Sequence, residues 1–293
     1  MNLKKYFLFA AFLSVNLLLG LVFFKPNSSD VAKILNSLSK EDKESLTWLF
    51  RGFSSSHYVL FGNKPMAFHG IKQGDYSLNS NPYRFIDSIT TLHISSLKEV
   101  NGLKCWEKNK HLFPSSNFAL LKNTTPENTT IFLINKPLFL QRVEENIDCF
   151  KEVIGASVTP KRIFEDCLEA KDLIKDVLKD NDELLGILLG FGRHNAHLFW
   201  RKTQLEKRLK SNAESAEFQE EYNKIDLQLK SFTDWNSDDF NSHLIGLPGF
   251  RADLEHAETK QLKAEYTKQY KKIVKLNDRK DFLEVILAQF CHG

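Results

Sequence analysis

The longest apolar stretch of the chain comes first. Tyr6 to Phe24 is nearly unbroken, interrupted only by Ser14 and Asn16. Wound as a helix, it would reach about 28 Å, close to the thickness of a hydrocarbon core. Lys4 and Lys5 precede it, and Lys25 and Pro26 follow. Lysines on the N-terminal side favour keeping that end in the cytoplasm and the rest of the chain outside. A cleaved signal peptide is the competing reading. Its apolar core is shorter and ends at a small-x-small site, whereas Leu21, Val22, Phe23, Phe24 and Lys25 occupy that place. The expectation is a single-pass membrane protein, N-terminus cytoplasmic and folded part extracytoplasmic, with secretion after cleavage as the alternative. Residues 1–25 would be anchor or signal peptide, and 26–293 a single soluble domain.

Behind the leader the pattern turns helical. Val31 to Leu38 reads as a first helix with Asp30 as N-cap. Ser39, three residues before Asp42, opens a second that runs to about Phe53 with Leu46, Leu49, Phe50 and Phe53 on one face. Two β-prone runs follow, His57 to Phe61 and Met66 to Ile71, around Gly62-Asn63-Lys64-Pro65. That reads as a hairpin, with Lys64 extended because proline follows it. Tyr83 to about Leu112 is mainly helical, with an interruption suggested at Asn101-Gly102. Phe118 to Lys122 and Thr130 to Ile134 read as two further strands.

The second half reads as almost wholly helical. Leu140, Val143, Ile147, Phe150 and Ile154 keep one helical face, and Ile163, Cys167, Ala170, Ile174 and Val177 another after Pro160. A long helix is expected from about Asp182 to Leu209, and another through Phe218, Tyr222, Ile225, Leu229 and Phe232. Asp234 to Asp253 reads as irregular. Two helices close the chain, one with Leu262, Tyr266 and Ile273, one with Phe282, Leu283, Ile286, Leu287 and Phe290. The fold class is α+β, predominantly helical, with a small antiparallel sheet and segregated helices behind one N-terminal transmembrane helix.

Charge narrows the function. The chain carries a net +3, of which Lys4 and Lys5 supply two, leaving +1 for the rest. That is no nucleic-acid footprint, which needs a basic excess on the binding domain. Cys105, Cys149, Cys167 and Cys291 form no C-x-x-C pair, so a zinc ribbon or thioredoxin motif is absent. The even count permits pairing in three connectivities, against four buried thiols acting as small hydrophobes. Serine nucleophile elbows, Walker loops and H-E-x-x-H are also missing. No metal or cofactor is expected.

Three stretches could carry chemistry. Gly190-Phe191-Gly192-Arg193-His194-Asn195-Ala196-His197 packs two glycines, an arginine, two histidines and an amide together. Its glycines could cradle a phosphate with Arg193 as clamp, given a strand before and a helix after. His194 and His197 could ligate a metal, or His194 could act as a general base. The plainer reading is tight packing of a continuous helix at Gly186, Gly190 and Ala196. Arg193 is then expected partly buried and structurally engaged, one turn from His197. The hairpin offers a binding edge of His57, Asn63, Lys64 and His69, or ordinary turn chemistry. Leu247-Pro248-Gly249-Phe250-Arg251-Ala252-Asp253 is a lid or a clasp, or Pro248-Gly249 makes a turn that plants Phe250 in the core.

Tyr58 to Pro65, Trp106, Leu189 to Ala196, Leu247 to Phe250, and Glu258-Thr259 with Tyr266 occur in an order and spacing that resembles a family of uncharacterised exported or membrane-anchored proteins of chlamydia-like intracellular bacteria. The resemblance spans about residues 45 to 290 and implies no activity. The expected role is a non-enzymatic envelope or host-interface protein, with the membrane and a protein as partners. The alternative is a hydrolase, a transferase or a tethered ligand-binding protein using Gly190 to His197 on a polar or phosphorylated ligand.

Overall fold

The computed structural model describes residues 28–72, 86–124, 128–211, 216–232 and 246–293. The apolar run Tyr6 to Phe24 lies outside the described residues. Among those described, no helix is long and apolar enough to cross a membrane.

The chain is predominantly helical around a small antiparallel sheet, an α+β arrangement. Helices α1 (Ser28–Ser37), α2 (Lys40–Gly52) and α3 (Ser56–Leu60) lead into β1 (Met66–Lys72). Ser39 caps α2 by accepting from the Asp42 amide at 3.0 Å. The long helix α4 (Ile86–Asn109) and a single 3-10 turn (Lys110–Leu112) precede β2 (Phe118–Thr124) and β3 (Asn128–Asn135). Gly102 does not interrupt α4. A Cβ there would stand 2.4 Å from the Ser45 carbonyl and 2.7 Å from the Leu49 Cβ, so glycine lets α4 close onto α2.

The expected hairpin of His57–Phe61 with Met66–Ile71 does not form. His57 to Leu60 wind into α3, all of them buried. β1 pairs with β3 instead, at Met66 with Ile134 and Phe68 with Phe132, and β2 takes the other edge of β3. The sheet order is β1-β3-β2, three strands where four short ones were expected. A central strand with helices on both sides suits a continuous apolar run, and Ile131, Phe132, Leu133 and Ile134 are each 0% exposed.

Those four residues divide the interior. Ile131 and Leu133 face a core built with Leu46, Phe50, Trp106 and the last helix. Phe132 and Ile134 face a second core, formed by the helices that follow the sheet. These are α5 (Lys136–Glu145), α6 (Ile147–Ile154), α7 (Pro160–Glu169), a π turn (Leu173–Val177), α8 (Asp182–Leu188) and α9 (Arg193–Lys210). Asn135, Thr159 and Asn181 cap three of them by accepting backbone amides. The helical faces read across Leu140–Ile154 and Ile163–Val177 are each broken. Asn146 stops α5, and the chain leaves α7 at Ala170 before Asp172 caps the π turn.

Helix α10 (Ala216–Gln228) ends earlier than its apolar spacing suggests. Leu229–Ser231 become β4 and pair with β5 (Arg251–Asp253), inside the segment expected to be irregular. Helices α11 (Ala257–Asn277) and α12 (Phe282–His292) close the fold. All four cysteines are free. Burial raises the thiols of Cys105 to about 11 and Cys167 to about 12, so they behave as small hydrophobes.

Candidate functional site

The two polar stretches singled out in the sequence meet in space. Lys64 sits between α3 and β1, held extended by its own amide on the Tyr58 carbonyl at 3.2 Å. Its side chain runs inward, leaving the residue 3% exposed. The ammonium donates to the Leu189 carbonyl and lies 4.9 Å from the centre of the Phe191 ring. Leu189 closes α8, so the cation meets the negative end of that helix. Burial pulls the amine down to about 7, and among the described residues no carboxylate pairs with it.

The helix expected from Asp182 to Leu209 is broken at this point. Gly190 and Gly192 hold φ of +73° and +84°, which turns the chain between α8 and α9. A Cβ on Gly190 would stand 2.6 Å from the Tyr266 hydroxyl and 3.2 Å from Pro65. Tyr266 donates to the Gly190 carbonyl at 2.9 Å. Asn195, 1% exposed, donates to the Phe191 carbonyl and the Thr259 hydroxyl, both at 2.9 Å, and accepts from the Asp253 amide at 3.0 Å. Gly186 on α8 meets Ala196 on α9, so these small residues pack two helices on each other, where one continuous helix packed on a neighbour was expected.

The phosphate cradle is not available. A helix, not a strand, precedes the turn, and the first two amides of α9 are already taken. Glu258 accepts from Arg193 and His194, each at 3.0 Å, which places a carboxylate of the chain itself at the positive helix end. Arg193 is the first residue of α9 and its side chain is 49% exposed, not partly buried against the core. The short turn ends before Arg193, so its side chain points out to Asp148, which it grips with two bonds of 3.2 and 2.6 Å. Arg193, through that hydrogen bond, holds the Asp148 carboxyl below its usual range.

The two histidines go to different carboxylates. His194 Nε2 lies 3.1 Å from Asp253, and its ring stacks on His256 at 3.7 Å. His197 Nδ1 lies 3.1 Å from Glu183. They do not converge as metal ligands, and among the described residues no group of three His, Cys, Asp or Glu could hold an ion. His194 does carry the oriented carboxylate that a general base needs. It opens with Arg193, His197 and His256 onto a shallow surface cleft.

The other edge residues disperse. His57 is 0% exposed, its Nδ1 is 2.7 Å from the Ser54 carbonyl, and burial lowers its pKa to about 4. Asn63 joins α11, donating to Glu265 at 2.6 Å and accepting from Gln269 at 2.5 Å. His69 pairs with Glu99 at 3.0 Å.

A pocket of about 480 Å³ opens beside the Lys64–Leu189 junction. Ser55, Lys64, Asp182, Asn195 and Arg251 supply polar groups, Leu189, Phe191 and Phe250 line the wall, and Phe68 and Phe199 also face it. Those last two are 43% and 44% exposed. Phe250 is sandwiched between Phe191 at 4.3 Å and Phe232 at 4.2 Å, partly buried, and no turn forms at Pro248-Gly249. Phe68 and Phe199 were not singled out in the sequence. Phe68 shares a strand face with the buried Met66, and Phe199 lies one turn beyond the buried Asn195 and Ala196, so spacing along the chain gave no signal that either ring stays exposed. Glu258 and Tyr266 stood in the family-like pattern, but nothing there placed them against the glycine turn. Comparison of the chain with family models, curated proteins and solved structures gave no match.

Proposed function

We propose that the chain is a membrane-tethered, extracytoplasmic protein that binds a small, mostly apolar ligand with an anionic head in the pocket at Lys64. The carrying observation is a buried amine that makes no ion pair among the described residues, beside a largely apolar 480 Å³ cavity. One backbone carbonyl satisfies one of three ammonium protons. A carboxylate head would supply the missing countercharge, and its burial would be offset by the same cation. Aromatic walls at Phe191, Phe199 and Phe250 suit an acyl or ring body. The membrane part of the reading rests on the Tyr6 to Phe24 run and on Lys4 and Lys5.

Titration calorimetry of the full chain with dodecanoate, dodecanol and dodecylamine tests this. Dodecanoate is expected to bind most tightly, and Lys64→Met to erase its advantage over the alcohol. Equal binding of the three, or an unaltered preference in Lys64→Met, would overturn the reading.

A second reading has its own observation. The His194–Asp253 pair gives an imidazole an orienting carboxylate at an open cleft, as a hydrolase or transferase would require. Among the described residues that line the cleft none is a serine, threonine or cysteine nucleophile, so the binding reading takes precedence. The host-interface role remains compatible with either site.

A further inference from the structure

Helix α11 carries its charge on one side. Thr259, Tyr266 and Ile273, seven residues apart, are its buried residues. Lys260, Lys268, Lys271, Lys272 and Lys275 are all exposed. At the α-helical rotation these five share an arc of about 120° centred opposite the buried stripe. Lys260 pairs with Glu255 at 2.9 Å. Among the described residues the other four make no ion pair.

The acids of the helix do not neutralise this face. Glu258 is turned to the amides of Arg193 and His194. Glu265 accepts from Asn63 at 2.6 Å and Gln261 at 3.1 Å. In a chain of net +3, four unpaired lysines in line on one helix are a local concentration of charge. From Lys260 to Lys275 the row spans roughly 22 Å.

We infer that the lysine face of α11 lies on the headgroups of an anionic phospholipid bilayer, as a second contact beside the N-terminal tether. The inference rests on that tether reading. Only Lys25, Pro26 and Asn27 separate the apolar run from the first described helix. Three residues reach at most about 11 Å, so a chain anchored by that run must hold its folded part against the membrane surface. Helix α1 packs on α12, and α12 packs on α11, which ties the lysine helix to the elements nearest the tether. A straight lysine row without arginine forks or stacking aromatics fits a diffuse layer of phosphates better than a nucleic acid.

Hydrogen exchange of the α11 peptides tests this in the full chain, mixed with vesicles of phosphatidylcholine alone or with phosphatidylglycerol added. Exchange in α11 is expected to slow only on the anionic vesicles, and the slowing to vanish at high salt. Each lysine near such a surface contributes about fivefold to partitioning. The combined Lys268→Gln, Lys271→Gln, Lys272→Gln and Lys275→Gln variant should therefore lose the anionic component while glutamine keeps the helix. Equal exchange on both vesicles overturns the inference, as does protection that survives in the variant. So does lysine-dependent binding of duplex DNA without protection on anionic vesicles. Flotation with phosphatidylcholine vesicles reads the tether separately. A chain that floats only with anionic vesicles, and only with its lysines, would refute the tether and keep the lysine face.

Discussion

The Lys64 ammonium donates to the Leu189 carbonyl, joining stretches 125 residues apart. One bond thereby fixes the α3–β1 connection to the end of α8 and places beside the pocket an amine that is cationic below about pH 7. Burial lowers the amine from 10.5 to about 7. Between those values the unfolded chain holds a proton that the folded chain has released. Stability from this group is therefore expected to rise with pH from about 7 toward 10.5, by up to about 1.4 kcal/mol per pH unit. Above pH 9 the raised thiols of Cys105 and Cys167 act in the opposite sense, leaving pH 7 to 9 as the clean window. Urea melts of the chain and of Lys64→Met across it should diverge. Parallel stability curves would mean that Lys64 stays charged when folded.

His57 should set the acid side. Burial takes its imidazole from 6.5 down to about 4, with Arg51 adding to the shift. The folded chain then resists protonation that the unfolded chain accepts. Its contribution is complete above pH 6.5 and lost as pH falls toward 4, again by up to about 1.4 kcal/mol per unit. His57→Phe keeps a ring against Phe282 and removes the titration. Its stability should fall less than that of the unaltered chain between pH 6.5 and 4.5. An identical slope in the variant would assign the acid loss elsewhere.

Gly190 should tolerate no side chain. Its positive φ disfavours L-residues, and an added methyl would press on the Tyr266 hydroxyl. Gly190→Ala is expected to cost about 1–3 kcal/mol. Gly70, with open space around it, is the control: Gly70→Ala should not destabilise. Thermal melts of the pair decide it, and matched losses would mean that the turn relaxes freely.

Much of the helical frame was legible because caps and periodicity are local. Ser39 marked the start of α2, Pro160 that of α7, and the Phe118–Ile134 strands were read as strands. What failed depended on partners distant in the chain. His57 to Leu60 carry a β-prone composition, yet β3 took β1 as its neighbour and left that run to coil into a buried helix. Gly190 read as a packing residue of a continuous helix, and Gly190 with Gly192 as a turn only in the phosphate reading. They break that helix because Tyr266, Lys64 and Glu258 supply partners for the freed carbonyls and amides. The pocket was illegible for the same reason, since its walls come from β1, α8, α9 and the Pro248–Phe250 segment.

Arg193 gives the sharpest change of expectation. A residue directly after an apolar run would lie near the core if the helix continued, and its loss would leave buried acceptors unpaired at about 1–3 kcal/mol. The structure places it at the exposed start of α9, with its bonds on Asp148, which is 62% exposed. Solvent screens such a pair and the side chains lose rotamer freedom to make it, so exposed pairs contribute about 0.2–1 kcal/mol even with good geometry. Arg193→Ala, Asp148→Ala and the double variant form a cycle that isolates the coupling. The coupling is expected to be small and to shrink as salt is raised. The backbone amide of Arg193, which binds Glu258, survives the substitution, so α9 should stay capped. Glu258→Ala removes that cap instead and is expected to cost about 1–2 kcal/mol, more than Arg193→Ala. A larger loss from Arg193→Ala would reverse this ranking and return the guanidinium to a structural role.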